Sequence, residues 1–255
     1  MSLKRQQVEL LKSCDMIIPY SVTEKELLMR DFGIRDSGQF LVVPDDPEES
    51  FQYADGRSFE SRYGIRDFVL CAGRIAAEKN QLSLIRAVRG TGMKLVLIGS
   101  AKNTLKDYYD RCRQEADGDV LFLPWLPRHE LASAYGAAKV HALPSWRETP
   151  GLSSLEAGLA GCNIVTTSIG STEEYFGKYA WYCQPHSIPS IRKAVEEAFV
   201  APKSSALREH ILRNFNWEKA AEGTFRAYKL AIGRSGAPSC RFGVCGNPSN
   251  EVAGA

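Results

Sequence analysis

Two glutamates lie eight positions apart in the segment ETPGLSSLE, residues 148–156. They flank a Thr-Pro-Gly turn that predicts the start of a helix, and the turn follows an apolar strand candidate at 140–143. Carboxylates and free backbone N–H groups are thereby brought to one strand end, where open α/β sheets bind ligands. Glu156 falls near the second helical turn and Glu148 on the loop before it. The pattern therefore favours acceptors for separate hydroxyl groups over an acid/base pair astride one bond.

Two cations follow another strand candidate. The run CAGRIAAEKN places Arg74 and Lys79 after the strand predicted at 68–73, at the same sheet edge as Glu148. A guanidinium and an ammonium group there are suited to a diphosphate, whose negative charge grows as a glycosidic C–O bond breaks. Taken alone, the two residues also fit a solvated loop with ordinary surface cations.

The helix predicted over 150–160 supplies independent support. Thr149 is the expected N-cap, Pro150 suits the first helical position, and Gly151 lets a ligand approach the backbone closely. The first N–H groups and the positive end of the helix dipole then face the crevice. We interpret this edge as the floor of a sugar-nucleotide site.

Short apolar segments alternate with longer amphipathic ones along the chain. The strand candidates are 68–73, 94–99, 120–125, 140–145, 163–168 and, more weakly, 180–184; helices are predicted at about 78–89, 103–116, 128–138, 150–160 and 187–200. Strands that are apolar throughout and separated by helices indicate a parallel sheet covered on both faces. The sequence therefore predicts an α/β fold, a doubly wound, Rossmann-like parallel sheet flanked by helices, over 65–200.

The flanks are expected to form separate units. Residues 1–44 carry two helices and two short strands, too little to close a sheet, and are predicted to be a remnant of a preceding α/β domain. Residues 45–64 are rich in acids, Pro and Gly and are predicted to be a linker. Two further helices are expected over 201–232, and 233–255 lacks periodicity and is predicted to be disordered.

Composition bounds the function. The 255 residues are 44% apolar, with 32 basic against 30 acidic side chains, so charge gives no argument for a nucleic-acid partner, and we expect none. No secretory signal or long apolar run is evident, which predicts a cytoplasmic protein. Seven cysteines show no CxxC pair and are expected to be mostly buried thiols. Cys240 and Cys245 could chelate a metal or pair, although no neighbouring His or Cys supports a site.

Four segments carry a resemblance to a known family: CAGRIAAEKN, LVLIGS, PSWRETPGLSSLEAGLAGCNIVTTSIGSTEEYF and NFNWEKAA. Over about residues 8–232 the chain resembles the retaining glycosyltransferases of family 4, and in particular the C-terminal, donor-binding half of their GT-B fold. The resemblance implies transfer of a hexose-type sugar from a UDP-, GDP- or ADP-sugar to a glycan or lipid acceptor. It also implies that neither a metal nor another cofactor is needed.

The resemblance assigns roles to individual residues. Arg74 and Lys79 would bind the donor diphosphate and stabilise the leaving group, and Glu148 would hold hydroxyls of the transferred sugar; these three are the implied catalytic residues. Glu156 would accept the ribose hydroxyls. The donor-binding set comprises Gly73, Arg74, Lys79, Trp125, Leu126, Ser145, Glu148, Thr149, Gly151, Leu152 and Glu156.

Several of these roles have structural alternatives. Trp125 and Leu126 match the base-contacting position but also fit core packing. Ser145 and Thr149 also fit a simple cap or turn role. Glu174, in GSTEEY, matches a recurrent acid of the family, and it also fits a cap of the helix that follows.

The sequence departs from the family in three places. Thr149-Pro150 replaces a common Gly-Phe, PDDPEE stands where Asn-Gly-Val-Asp is frequent, and nearly all of the acceptor-side N-terminal domain is missing. The four histidines (129, 141, 186 and 210) are expected to be structural. Because the acceptor-side domain is expected to be missing, the alternative is a non-catalytic nucleotide-sugar-binding module, or half of a split enzyme with a separate N-terminal domain. Two-domain relatives often touch membranes peripherally through their N-terminal half. A glycosidase using Glu148 and Glu156 is disfavoured, because such enzymes place one carboxylate on each side of the bond.

Overall fold

A computed structural model describes residues 3–35, 38–100 and 106–235. The helices are α1 Leu3–Ser13, α2 Val22–Phe32, α3 Arg57–Tyr63, α4 Gln81–Val88, α5 Lys106–Glu115, α6 Arg128–Ala137, α7 Leu152–Leu159, α8 Thr172–Phe176, α9 Ile188–Val200, α10 Ala206–Asn214 and α11 Trp217–Ser235. The strands are β1 Val69–Ala72, β2 Leu95–Ile98, β3 Val120–Leu123, β4 Val140–Leu143, β5 Asn163–Thr167 and β6 Ala180–Cys183. Every strand predicted over 65–200 forms, and each ends one or two residues earlier than expected.

All six strands are parallel, in the order β3-β2-β1-β4-β5-β6. This confirms the doubly wound sheet. The order reverses between β1 and β4, where Val69 pairs with Leu95 on one side and with Val140 on the other. Loops leaving these two strands diverge to opposite faces of the sheet, and the crevice that they open at the carboxyl ends is the usual ligand position in such folds.

The core forms two layers, one on each face of the sheet. Alternate residues of the central strands point to opposite sides: Leu70 belongs to the cluster that includes α6, α7 and α10, and Val69 belongs to the cluster that includes α4 and α9. Strands β1, β2 and β4 are buried along their whole length, whereas β3 and β6, at the edges, are partly open. This burial on both faces explains why the central strands are apolar at every position except His141 of β4.

Residues 45–64, predicted to be a linker, instead contribute to the core. They form a 3₁₀ turn at Glu49–Tyr53 and helix α3, and the side chains of Phe51 and Phe59 are buried. Gly56 lies so close to α6 that a Cβ there would sit 2.5 Å from the backbone nitrogen of Ala137. The aromatic residues outweigh the acidic, Pro- and Gly-rich composition on which the linker prediction depended.

The described part of the first 44 residues, 3–35 and 38–44, is hydrogen-bonded to the sheet domain, for example through the hydroxyls of Ser21 and Ser171, 2.6 Å apart. The strands expected near 16–21 and 40–44 form a short parallel pair joined at Ile17 and Phe40. The hydroxyl of Tyr175 donates to the Tyr20 carbonyl (2.7 Å) and accepts from the Asp45 N–H (2.9 Å), which ties this segment to α8. That it is a remnant of a further domain stays a prediction.

The C-terminal helices form as predicted, and α11 continues to Ser235, three residues into the expected tail. The remaining tail, with Cys240 and Cys245, lies outside the described residues. Cys71, Cys112, Cys162 and Cys183 are buried free thiols, as expected. None of the described helices is long and apolar enough to cross a membrane.

Candidate functional site

The loops that follow β1 and β4 meet where the strand order reverses. The N–H of Trp146 donates to the carbonyl of Glu78 at 3.0 Å. The buried side-chain amide of Asn80 donates to the carbonyls of Pro144 (3.0 Å) and Pro185 (2.8 Å). Asn80 has a φ of 59°, a left-handed conformation that Asn tolerates better than most residues. Asn80 was not predicted as a site residue. Its position directly after Glu78 and Lys79 and directly before α4 could have marked it as a turn residue.

Lys79 and Glu148 form a partly buried ion pair between these loops. The Lys79 Nζ lies 2.6 Å from Glu148 Oε1, with 25% of the lysine side chain and 6% of the glutamate side chain exposed. The hydroxyl of Ser145 donates to the same oxygen. A buried carboxylate needs such partners. Two of the predicted catalytic residues are thus in contact, and Ser145 orients the carboxylate rather than serving as a helix cap.

The backbone of Glu148 is fixed by the loop after β5. Its N–H donates to the Ile169 carbonyl (3.1 Å), and its carbonyl accepts from the Ser171 N–H (3.0 Å). Gly170, between them, has a φ of 113°, and a Cβ there would lie 2.0 Å from the Glu148 carbonyl oxygen. Only glycine fits such an approach. Sequence reasoning did not identify this glycine, because the contact joins segments more than twenty residues apart.

Arg74 lies at the rim of the site and does not contact Glu148. Its guanidinium pairs with Glu78 at 2.7 Å, with both side chains about half exposed. Gln81 shapes this loop, since its amide donates to the Arg74 carbonyl (2.9 Å) and accepts from the Ala76 N–H (3.3 Å). Exposed ion pairs contribute little to stability, about 0–1 kcal/mol, so a polyanionic ligand can replace Glu78 at small cost. The surface-cation alternative thus describes Arg74, which is about half exposed, but not Lys79, which is partly buried.

Helix α7 begins two residues later than predicted. Its N-cap is Gly151, with φ 87° and ψ 67°, and not Thr149; Pro150 precedes the helix, after a cis Thr149–Pro150 bond. The pairing of Glu148 with the loop after β5 keeps the chain extended at this point, which delays the helix. Within the described part of the chain, the N–H groups of Leu152 and Ser153 have no hydrogen-bond acceptor. They are available to anionic or hydroxyl oxygens, at the positive end of the helix dipole.

Glu156 lies on α7 and is held by a different partner. The hydroxyl of Tyr135 donates to Glu156 Oε2 at 3.2 Å. Burial raises the pKa of the Glu156 carboxyl, while the hydrogen bond from Tyr135 and the charge of Arg128 oppose that rise. Glu148 and Glu156 therefore have separate surroundings, which supports their interpretation as two independent acceptors.

The remaining predicted residues are spread more widely. Trp125, after β3, is about half exposed, so the core-packing alternative is wrong for it, whereas Leu126 packs partly against the core. Glu174 lies within α8, and its carboxylate accepts the N–H groups of Val22 and Thr23, at 2.8 Å each. Glu174 therefore caps α2 of the N-terminal segment. The alternative, a cap of the helix that follows in the sequence, is wrong.

His141 is structural, as expected. It is fully buried in β4, and burial lowers its pKa to about 3, so the ring is neutral. Its Nε2 accepts from the Ala72 N–H (3.4 Å), and Nδ1 lies 3.3 Å from the Ser154 hydroxyl. The ring thus links β1, β4 and the first turn of α7, which fixes the helix relative to the sheet.

Comparisons with known proteins agree with this geometry. A family model described as glycosyl transferases group 1 matches residues 57–214. The chain is 28% identical over 252 residues to D-inositol 3-phosphate glycosyltransferase of Stackebrandtia nassauensis, covering 89% of this chain and 56% of that protein. It is 29% identical over 178 residues to glycogen synthase of Mycobacterium tuberculosis, covering 64% of this chain and 42% of that protein. The chain thus spans about half the length of these relatives.

Solved structures share the fold. Sucrose-phosphate synthase of Thermosynechococcus elongatus matches with a TM-score of 0.79 and 21% identity, over 91% of this chain and 62% of that one. The Anabaena protein HepE, in complex with UDP and glucose, matches with a TM-score of 0.69 and 18% identity, over 91% and 65%. The predicted fold, the C-terminal half of GT-B, is therefore confirmed. The family model also covers more than half of the sequence, and this chain therefore belongs to the glycosyl transferases group 1.

Proposed function

We propose that this chain is the donor-binding half of a retaining glycosyltransferase of family 4, which moves a hexose-type sugar from a UDP-, GDP- or ADP-sugar to a glycan or lipid acceptor. One observation carries the proposal: Lys79, Glu148 and the unpaired N–H groups at the start of α7 converge where the strand order reverses. The names of the relatives, which include a glycogen synthase, and the UDP and glucose held by HepE support this class of donor.

The cations would act on the donor diphosphate. As the bond to the sugar breaks, negative charge accumulates on the β-phosphate, and positive groups already in place lower that barrier. Lys79 is held by Glu148, and Arg74 can exchange Glu78 for phosphate oxygens. Two side-chain cations together with helix N–H groups balance the diphosphate, so the proposed reaction needs no metal or other cofactor.

The carboxylates would bind hydroxyl groups at the two ends of the donor. Glu148 Oε1 is engaged by Lys79 and Ser145, which leaves Oε2, beside Gly151, for hydroxyls of the transferred sugar. Glu156 would accept the ribose hydroxyls. The other members of the proposed donor site are Gly73, Trp125, Leu126, Thr149 and Leu152. Trp125 offers an exposed indole for base stacking.

The acceptor site would lie in an N-terminal half that the longer relatives contain. Because the chain spans about half of those relatives, a second candidate is a nucleotide-sugar-binding module, or half of a split enzyme, that needs a separate N-terminal domain for turnover. In either case we place the protein in the cytoplasm or at the periphery of a membrane. Acceptor-dependent transfer with retained anomeric configuration, followed by NMR of the product, separates a retaining transferase from a binding module.

Calorimetric titration with UDP, GDP and ADP and with their sugar conjugates tests the site. The test variant is Arg74→Ala/Lys79→Ala. The matched control is Arg66→Ala/Lys94→Ala, which removes an ion-paired arginine and lysine from the amino end of the sheet. Saturable binding of one nucleotide, lost in the first variant and kept in the control, is expected. Equal binding by both variants, or no binding by the wild type, would contradict the proposal.

A further inference from the structure

Tyr135 is a fully buried tyrosine whose hydroxyl meets a carboxylate. It lies on α6, and its phenol donates to Glu156 Oε2 at 3.2 Å. Burial, together with the neighbouring charge of Glu156, holds the pKa of Tyr135 well above its ordinary value. The phenol therefore keeps its proton and acts as a donor.

The ring of Tyr135 is fixed by aromatic contacts on two sides. Phe51 packs edge to face against it, with ring centroids 5.6 Å apart, and His141 does the same at 5.8 Å. These contacts come from different parts of the chain, the 45–64 stretch and the centre of the sheet. Tight packing of this kind leaves a single position for the hydroxyl.

Glu156 has one oxygen bonded and one open. Oε2 accepts from Tyr135, while Oε1 has no hydrogen-bond donor among residues 3–35, 38–100 and 106–235. A half-buried carboxylate in this state is suited to a ligand that supplies a hydroxyl, and a vicinal diol supplies two. The fixed bond to Oε2 determines which lone pairs point outward.

We propose that Tyr135 is a positioning residue, which fixes Glu156 so that this carboxylate selects a ribose diol over a 2′-deoxyribose in the donor nucleotide. The inference rests on the proposed function and extends it: Tyr135 is fully buried and would act through Glu156, to which it is hydrogen-bonded. The same hydrogen bond opposes the rise in the pKa of Glu156 that burial causes, which favours the ionised acceptor.

The test compares ribonucleotides with their 2′-deoxy forms. The full chain is titrated with UDP and 2′-deoxy-UDP, and with the GDP and ADP pairs in parallel. A hydrogen bond to a charged acceptor predicts a preference of about 10-fold for the ribonucleotide in the wild type. Tyr135→Phe is expected to reduce it to about 3-fold or less. Tyr182→Phe, which removes a hydroxyl bonded to the Gly177 carbonyl at 2.8 Å, should leave it unchanged.

A purely structural role gives a different result. If Tyr135→Phe weakens both nucleotides equally, or leaves the preference intact, the inference is overturned. If the wild type binds nucleotide without preference, this inference fails and the proposed function stands. If it binds none of the nucleotides, both fail.

A double variant keeps the test independent of folding. Tyr135→Phe/Glu156→Gln no longer leaves a buried carboxylate without its donor, so it is expected to fold even where Tyr135→Phe does not. Its preference should equal that of Glu156→Gln alone, because Tyr135 acts through Glu156. A further loss in the double variant would show that the tyrosine acts by another route.

Discussion

Lys79→Met should destabilise the protein more than the loss of an exposed lysine does, because Lys79 is partly buried and ion-paired. The change keeps most of the aliphatic stem and removes the ammonium group that lies 2.6 Å from Glu148 Oε1. The Glu148 carboxylate, 6% exposed, then keeps one neutral side-chain donor, the Ser145 hydroxyl. Removing one partner of a buried ion pair costs about 3–5 kcal/mol. Because a quarter of the lysine side chain is exposed and water screens part of the interaction, we expect about 2–3 kcal/mol here.

Urea unfolding followed by circular dichroism measures this loss. A decrease of 2–3 kcal/mol corresponds to a fall in Tm of roughly 4–12 °C for a protein of this size. The double variant Lys79→Met/Glu148→Gln should recover most of the stability, since no uncompensated charge remains. Lys94→Met is the matched control: its partner Asp119 lies at the same distance, 2.6 Å, but the pair is exposed. That control should cost less than about 1 kcal/mol.

Two results would refute this reasoning. One is a cost for Lys79→Met no larger than that for Lys94→Met. The other is additivity of the Lys79 and Glu148 changes in the double-mutant cycle. Either would show that the ammonium group does not hold the Glu148 carboxylate in the crevice.

Three further predictions concern residues that support the site. Gly170→Ala should lower unfolding free energy by about 3 kcal/mol or more, since its Cβ would meet the Glu148 carbonyl oxygen at 2.0 Å; Gly177→Ala, in open space, should cost about 1 kcal/mol in the same denaturation assay. Asn80→Ala removes the donor to two carbonyls and should cost about 2–4 kcal/mol, measured by calorimetric unfolding. Burial lowers the pKa of His141 to about 3, so the protein should lose about 1.6 kcal/mol of stability between pH 6.5 and 5, measured by urea unfolding at each pH.

The sign for His141 follows from proton counting. Below pH 6.5 the unfolded chain protonates this histidine and the folded chain does not, so stability is lost as pH falls towards the folded pKa of about 3. In a His141→Gln variant this component disappears, leaving a flatter profile. An identical profile in the two proteins, or equal costs for Gly170→Ala and Gly177→Ala, would contradict the packing described for these residues. If Asn80→Ala does not lower the free energy of unfolding, the two hydrogen bonds of Asn80 do not stabilise the protein as described.

Much of the fold could be predicted because its elements have strong local signals. The strands β1 and β2 are apolar at every position, β4 is apolar except at His141, and each is followed by glycine or proline, which indicates buried parallel strands. The strand order could not be predicted from these signals, because it depends on where each crossover helix packs. That order determines which two loops meet.

The errors have long-range causes. The start of α7 was placed two residues early because Glu148 pairs with Gly170, a contact that no local pattern around Thr149 reveals. The 45–64 stretch was assigned from composition, although the burial of Phe51 and Phe59 determines its structure. Acidic and Pro-rich sequence is a weaker indicator than aromatic side chains with a core available to receive them.

Some residues of the site could also be predicted from local patterns, whereas others depend on long-range contacts. Lys79 and Glu148 were assigned to one edge from their positions after strands, and their contact follows from the strand order. The pairing of Arg74 with Glu78 lies in the loop after β1, where the four-residue spacing is not a helical signal, and it was not predicted from the sequence. Tyr135 was not: on α6, nothing in its neighbourhood marks it as facing Glu156.

Hydrogen–deuterium exchange of the full chain, with and without saturating UDP, GDP or ADP, shows whether a nucleotide binds between the loops that follow β1 and β4. We expect one nucleotide to protect residues 73–80 and 144–153 together, since it would bridge the two loops at the reversal of strand order. Protection that spares either loop, or no change with any of the three nucleotides, would contradict this expectation.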